Sequence, residues 1–252
     1  MALANFAKKL HWVGVFFLFV ASMLMLFVTL SAPIINNLSL LRVSLNNGTL
    51  EHPSSVTFGT YGYCILNVGE DRNDDYCPRR NIGYSPSRTI TAITSSSAHP
   101  FSEVSSGTAT SLTRVMVLHP IITGLSFIAF LLSLGSGIIG SLAGAFVAAI
   151  AWVLTLIALA CGFSLFGIVR HHVNDDENGI RAHASFGSAI WLLLASFVLL
   201  FFGMVVVLST CVSVRREKKR AGAGTGRESG AAPAATPTET PTEKRKKRFG
   251  IF

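Results

Sequence analysis

The stretch VMVLHPIITGLSFIAFLLSLGSGIIGSLAGAFVAAIAWVLTLIALACGFSLFGIV, residues 115–169, runs from Arg114 to Arg170 without an Asp, Glu, Lys or Arg among its 55 residues. As one helix it would extend about 80 Å, against roughly 30 Å for the hydrocarbon core of a bilayer. A single crossing cannot accommodate it. Gly135, Ser136, Gly137, Gly140 and Ser141 gather near its middle, where glycine frees the backbone to turn. The stretch therefore reads as two membrane spans, residues 114–135 and 144–169, joined by a tight turn at 136–143. His119-Pro120 falls in the first turns of the earlier span, where a missing backbone N–H is tolerated, and His119 reads as interfacial packing.

Two further runs flank this pair. Trp12 to Leu30 is uncharged and long enough to cross once, and Lys8 and Lys9 precede it. It is long for a signal peptide, and Leu30-Ser31-Ala32 lacks the small residue that a cleavage site needs at minus three, so residues 12–30 read as an uncleaved first span. Residues 185–214 carry Trp191 and many Phe without a charge, and the basic run Arg215 to Arg220 closes them as a fourth. The whole chain of 252 residues is 50% hydrophobic and only 13% charged, about half the usual share, which argues against a soluble enzyme.

Charge gives the orientation. Residues 215–252 hold eleven Lys or Arg and four Glu, so +7 of the net +8 sits there. By the positive-inside rule the ends, residues 1–11 and 215–252, are expected in the cytosol. The segments 31–113 and 170–184 then lie outside. Both sequons, Asn37-Leu38-Ser39 and Asn47-Gly48-Thr49, fall in the first of these, making Asn37 and Asn47 expected glycosylation sites.

That outer segment has 83 residues, enough for a small folded module. It contains Cys64 and Cys77, which stay as two thiols or close a loop worth about 3 kcal/mol in an oxidising compartment. Alternation in Val56 and Phe58, and in Thr89-Ile90-Thr91-Ala92-Ile93, suggests short strands. From Ser85 to Thr113, 15 of 29 residues are Ser or Thr, which suits an exposed stalk bearing O-linked sugar or a flexible return to the membrane. The charges between Glu70 and Arg80 nearly cancel and read as a solvated face, with no ion assigned.

Four spans, a large first loop, and the pieces Phe58-Gly59-Thr60-Tyr61-Gly62-Tyr63-Cys64, Cys77-Pro78 and Ile82-Gly83-Tyr84 resemble the claudin-type superfamily, and within it the fungal Sur/PalI branch. The resemblance spans about residues 10–215. It implies an all-α membrane fold, a four-helix bundle capped by a small disulfide-bonded extracellular β module, with Cys64 paired to Cys77. Gly59, Gly62, Gly83 and Tyr84 are the motif residues it singles out. It further implies a role at the fungal plasma membrane, in the cortical domains called eisosomes, in endocytosis and wall organisation, or in ambient-pH signalling. The Trp that animal claudins carry before the glycine motif is absent here, so no junction or pore is implied.

In the second outer segment, His171, His172 and His183 accompany Asp175, Asp176 and Glu177. Protonated imidazoles would pair with these acids, making a pH sensor; the plainer reading is a solvated hairpin. Small residues four apart, Ser133, Gly137 and Ser141 with Gly140 and Gly144, suit close helix packing within the bundle or lateral self-association, with itself or other cortical membrane proteins. Cys211, at the inner end of the fourth span, reads as an S-acylation site or an unmodified interfacial thiol.

After Arg220 the chain turns to Ala, Gly, Pro, Thr and Glu, which predicts disorder. It ends in Lys244, Arg245, Lys246, Lys247 and Arg248 followed by Phe-Gly-Ile-Phe, a tail suited to anionic inner-leaflet lipid rather than nucleic acid. No metal-ligand spacing, phosphate-binding loop or nucleophile motif stands out, so neither catalysis nor a cofactor is expected.

Overall fold

The computed structural model describes residues 2–45, 54–68, 74–78, 83–94, 103–135, 138–174 and 182–225. They fall into two units, residues 1–214 and 215–252. In the first, the long apolar runs are helical. Helix α1 spans Ala2–Thr29, α4 Leu118–Leu134, α5 Ile138–Val173 and α6 Ser188–Thr225. Each contains or contributes to a segment long and apolar enough to cross a membrane: Lys9–Thr29, Thr110–Leu134, Gly140–Val173 and Ser188–Ser213. Their outward faces carry Trp12 (64% exposed), Phe146 (68%) and Trp191 (56%), side chains that would be costly in water and are suited to lipid.

Inside the bundle the packing depends on small residues. Leu18, Ala21, Ala129, Ala145, Ala148, Leu200 and Val207 form one buried cluster. A β-carbon on Gly144 of α5 would sit 3.0 Å from the Ala129 carbonyl oxygen and overlap the Ser133 hydroxyl on α4. The small residues at 133 and 144 therefore serve the α4–α5 contact within the chain. Gly203 of α6 similarly admits Leu18 of α1, whose Cδ2 would lie 3.0 Å from a β-carbon there.

Between Arg114 and Pro120 the chain tightens. Helix α3, Glu103–Val115, stops at a turn, and the Met116 carbonyl accepts the His119 N–H at 3.1 Å. Pro120 has no N–H to offer that carbonyl, and its ring disfavours a regular turn four residues back.

Strands β1 (Leu41–Leu45), β2 (Ser55–Phe58), β3 (Tyr63–Val68), β4 (Asp74–Tyr76) and β5 (Ala182–Phe186) form one sheet in the order β4-β3-β2-β1-β5. The described pairings are antiparallel, with Val43 opposite Val56 on one side and Ala184 on the other. Strand β5 comes from the second loop, so the two segments between spans meet in a single sheet. Leu41, Val43, Val56, Phe58 and Ala184 turn into a second apolar cluster with Met25, Val28, Ile122, Phe166 and Ile190 of the helices. This seats the sheet on the ends of the bundle.

Several boundaries differ from the sequence reading. Helix α5 begins at Ile138, within the stretch assigned to the turn, and continues to Val173, past Arg170. Strand β5 runs from the second loop into Ser185 and Phe186, assigned to the start of the fourth span, and α6 begins at Ser188. The described residues 221–225 are helical, although their composition predicted disorder.

The Ser/Thr-rich return is neither stalk nor flexible link where it is described. Pro86–Thr94 forms α2 and Glu103–Val115 forms α3. Ser85 precedes Pro86, its carbonyl accepting the Thr89 N–H at 3.2 Å, and proline suits the first helical position. Ile90 is buried in the outer apolar cluster, so tertiary packing overrides the strand preference of Thr-Ile-Thr.

Candidate functional site: the clasp between hairpin and helices

The β2–β3 hairpin is short because Gly59 and Gly62 close it, the Gly59 N–H donating to the Gly62 carbonyl at 2.8 Å. Its tip lies over the end of α1. Thr60 is fully inserted there: its N–H donates to the Ser31 hydroxyl (3.0 Å), and its own hydroxyl donates to the Val28 carbonyl (3.0 Å). The Ser31 and Thr60 hydroxyls are 3.1 Å apart, and His119 Nδ1 of α4 stands 3.5 Å from Thr60 Oγ1. All three side chains are buried, so this polar node satisfies groups that would otherwise be costly in an apolar surround. Below it, the Thr29 and Thr123 hydroxyls meet at 2.9 Å, joining α1 to α4.

Tyr84 seals the other side. Its hydroxyl donates to the Gly59 carbonyl at 2.9 Å, and its ring stacks on Phe58 with centroids 6.2 Å apart, beside Tyr63. Burial pushes the Tyr84 phenol above the ordinary tyrosine value, since the phenolate would lose its water. Gly83 holds φ +83°, a left-handed conformation that glycine takes without strain, and this turns Tyr84 inward. Thr113 donates to the Tyr84 carbonyl at 2.9 Å, tying the entry to α4 into the same clasp.

Cys64 and Cys77 are disulfide-bonded, with Cα atoms 4.3 Å apart. The pairing follows from register: Ile65 is opposite Tyr76, so the antiparallel ladder brings its neighbours Cys64 and Cys77 face to face. The register then shifts before Val68, at a bulge where Asn67 takes φ +60°. The Asn36 side chain lies against both sulfurs and donates to Asp75 Oδ2 at 3.0 Å.

The motif glycines, Tyr84 and the cystine thus come together in one place. Asn37 is exposed on the turn after α1, whereas Asn47 lies outside the described residues. His171 and His183 are exposed and His172 half-buried, with His183 opposite Ser44 on the β5–β1 edge. Asp175, Asp176 and Glu177 lie outside the described residues, as do Lys244, Arg245, Lys246, Lys247 and Arg248. Cys211 is buried, so acylation would require its thiol to turn outward.

His119 is only 2% exposed, packed between hairpin and helices. Thr60 and Ser31 went unassigned, though Thr60 directly follows the motif glycine. Asn174 was also missed: its amide donates to the Ala184 carbonyl (3.0 Å) and accepts the Ala184 N–H (2.7 Å), holding β5 to the end of α5. Among the described residues, no group of three or more His, Cys, Asp or Glu is arranged to hold a metal.

The chemistry available here is that of a fastener. Hydroxyls, carbonyls and one imidazole lock a disulfide-braced sheet to three helices. In comparison with known proteins, the sequence model of the SUR7/PalI family matches residues 10–203. No curated protein matches the chain.

Proposed function

Since the chain belongs to the SUR7/PalI family of membrane proteins, we propose that it is a non-catalytic organiser of cortical plasma-membrane domains of the eisosome type, with links to endocytosis and wall integrity. The observation that carries this reading is the single sheet built from both loops and fastened to the helix ends. A body braced in this way suits a static scaffold better than a mobile transporter or a catalyst. The absence of Asp, Glu, Lys and Arg from residues 115–169 supports the same reading, because ion and proton pathways ordinarily need such groups.

In this proposal the protein sits in the plasma membrane with both termini in the cytosol. The sheet faces the wall, with Asn37 and Asn47 open to glycosylation. The basic residues Lys244 to Arg248 engage anionic inner-leaflet lipid, each contributing about 1 kcal/mol near the surface. Lateral assembly with copies of itself or with other cortical membrane proteins completes the domain.

A tagged copy imaged beside an eisosome marker tests the role. Static cortical patches that coincide with the marker at all external pH values are expected. The rival is an accessory of ambient-pH signalling, for which His171, His172 and His183 on the outer side supply titratable groups. Diffuse membrane signal, together with growth loss confined to alkaline medium, would favour that rival.

A further inference from the structure

One buried polar atom is left over by the clasp. His119 Nε2 has no hydrogen-bond partner in the structure, although the residue is 98% buried. The state of that nitrogen follows from the other side of the ring. Thr60 Oγ1 commits its only proton to the Val28 carbonyl, so His119 Nδ1 can meet it only as an N–H donor. In the neutral imidazole Nε2 is then a bare acceptor.

His119 lines a cavity of about 10 Å³ together with Leu112, Val115, Met116, Ala158, Cys161 and Gly162. That volume is about what one water-sized oxygen needs. Gly162 adds to the space, for a β-carbon built there meets nothing within 4 Å. Leu112, Val115 and Cys161 are only half-buried, so the cavity approaches the lipid-facing surface between α3 and α5. Zinc does not fit: beside the Met116 thioether the lining offers one imidazole and one thiol, fewer than the three or four nitrogen, thiolate or carboxylate ligands that it takes. An anion would face a bare lone pair. A neutral O–H donor satisfies both the size and the polarity.

We propose that His119 Nε2 and this cavity form a binding site for a single hydroxyl group, supplied by the alcohol of a membrane lipid reaching in from the bilayer or by a trapped water. The site is separate from the proposed cortical role and stands or falls without it.

The test is nitrogen NMR on the full chain, labelled at histidine and reconstituted in phosphatidylcholine nanodiscs, alone, with octadecanol, or with octadecyl methyl ether. His119→Gln identifies the resonance. A lipid alcohol is indicated by an Nε2 signal that moves to the hydrogen-bonded acceptor position only with octadecanol. A trapped water is indicated by that position in all three discs. In either case Gly162→Ala, which puts a single carbon into the cavity, is expected to return Nε2 to the position of an acceptor without a donor while the Cys64–Cys77 disulfide still forms. An Nε2 signal without a hydrogen bond in every disc, or one carrying the proton itself, overturns the proposal.

Discussion

Gly59 lies against the backbone of Ala32 so closely that a β-carbon on it would fall 2.6 Å from the Ala32 nitrogen and onto the carbonyl oxygen. Neither atom belongs to a flexible side chain, so relief requires the hairpin to lift from α1. Gly59→Ala is expected to destabilise the protein by about 3 kcal/mol, at the upper end of ordinary overpacking. Gly107→Ala on the exposed face of α3, where a β-carbon meets nothing, serves as the control and gains up to about 1 kcal/mol of helix propensity. Thermal unfolding of both variants in detergent measures the contrast.

Thr60 offers a finer probe of the same contact. Thr60→Val keeps the shape but removes the donor to Val28 and the acceptor facing His119, at an expected cost of about 1–3 kcal/mol. Thr60→Ser keeps the hydroxyl and should recover most of the loss. Equal unfolding temperatures for the Val and Ser variants would show that the node carries no stability.

Cys64→Ser and Cys77→Ser each open the 13-residue loop, and each is expected to cost about 3 kcal/mol by the chain-entropy estimate. Because both remove one bond, the double variant should match the singles rather than sum them. Chemical unfolding of the three variants under non-reducing conditions tests this, and added reductant should bring the wild type to their level.

How far the sequence disclosed these contacts depended on whether a residue's partner is local. The run from Val115 to Val169 yields two helices because absence of charge over that length has one physical solution in a bilayer. The glycine and cysteine motif marked the hairpin and, through the resemblance, its disulfide. The seat of Gly59 on Ala32 was invisible, since 27 positions separate them and either glycine function, turn or close approach, would read the same. Helices α2 and α3 were missed because Ser/Thr content says nothing of where Ile90 is buried. The clasp around His119 could not be read because Thr60, which its Nδ1 meets, comes from a distant hairpin.

Tyr84 sets a direction in pH. Its phenol is raised by burial, so the stability it contributes is present in full below about pH 10, where an unfolded tyrosine begins to ionise. Above that, the unfolded chain releases a proton the folded chain retains, and stability falls as pH rises. Tyr84 is expected to resist ionisation until the protein unfolds, read by ultraviolet absorbance of phenolate during alkaline titration. Tyr84→Phe should abolish that late component and cost about 1 kcal/mol at neutral pH through loss of the bond to Gly59.

Asn174 decides whether the second loop stays in the sheet. Its amide makes both bonds that a neighbouring strand would make to Ala184, at 3.0 and 2.7 Å, while Ala184 stands opposite Val43 on its other side. Asn174→Asp keeps the acceptor for the Ala184 N–H but loses the donor to its carbonyl and adds charge; Asn174→Ala loses both bonds. Each lost bond at a buried strand position costs about 1 kcal/mol or more. Amide hydrogen exchange at Ala184 should therefore accelerate about tenfold or more in the Ala variant and less in the Asp variant. Exchange across β2 and β3, which are held by the hairpin and the cystine, should stay near wild type. Equal acceleration across all the strands would instead mean that the sheet opens as one unit, with Asn174 as its latch.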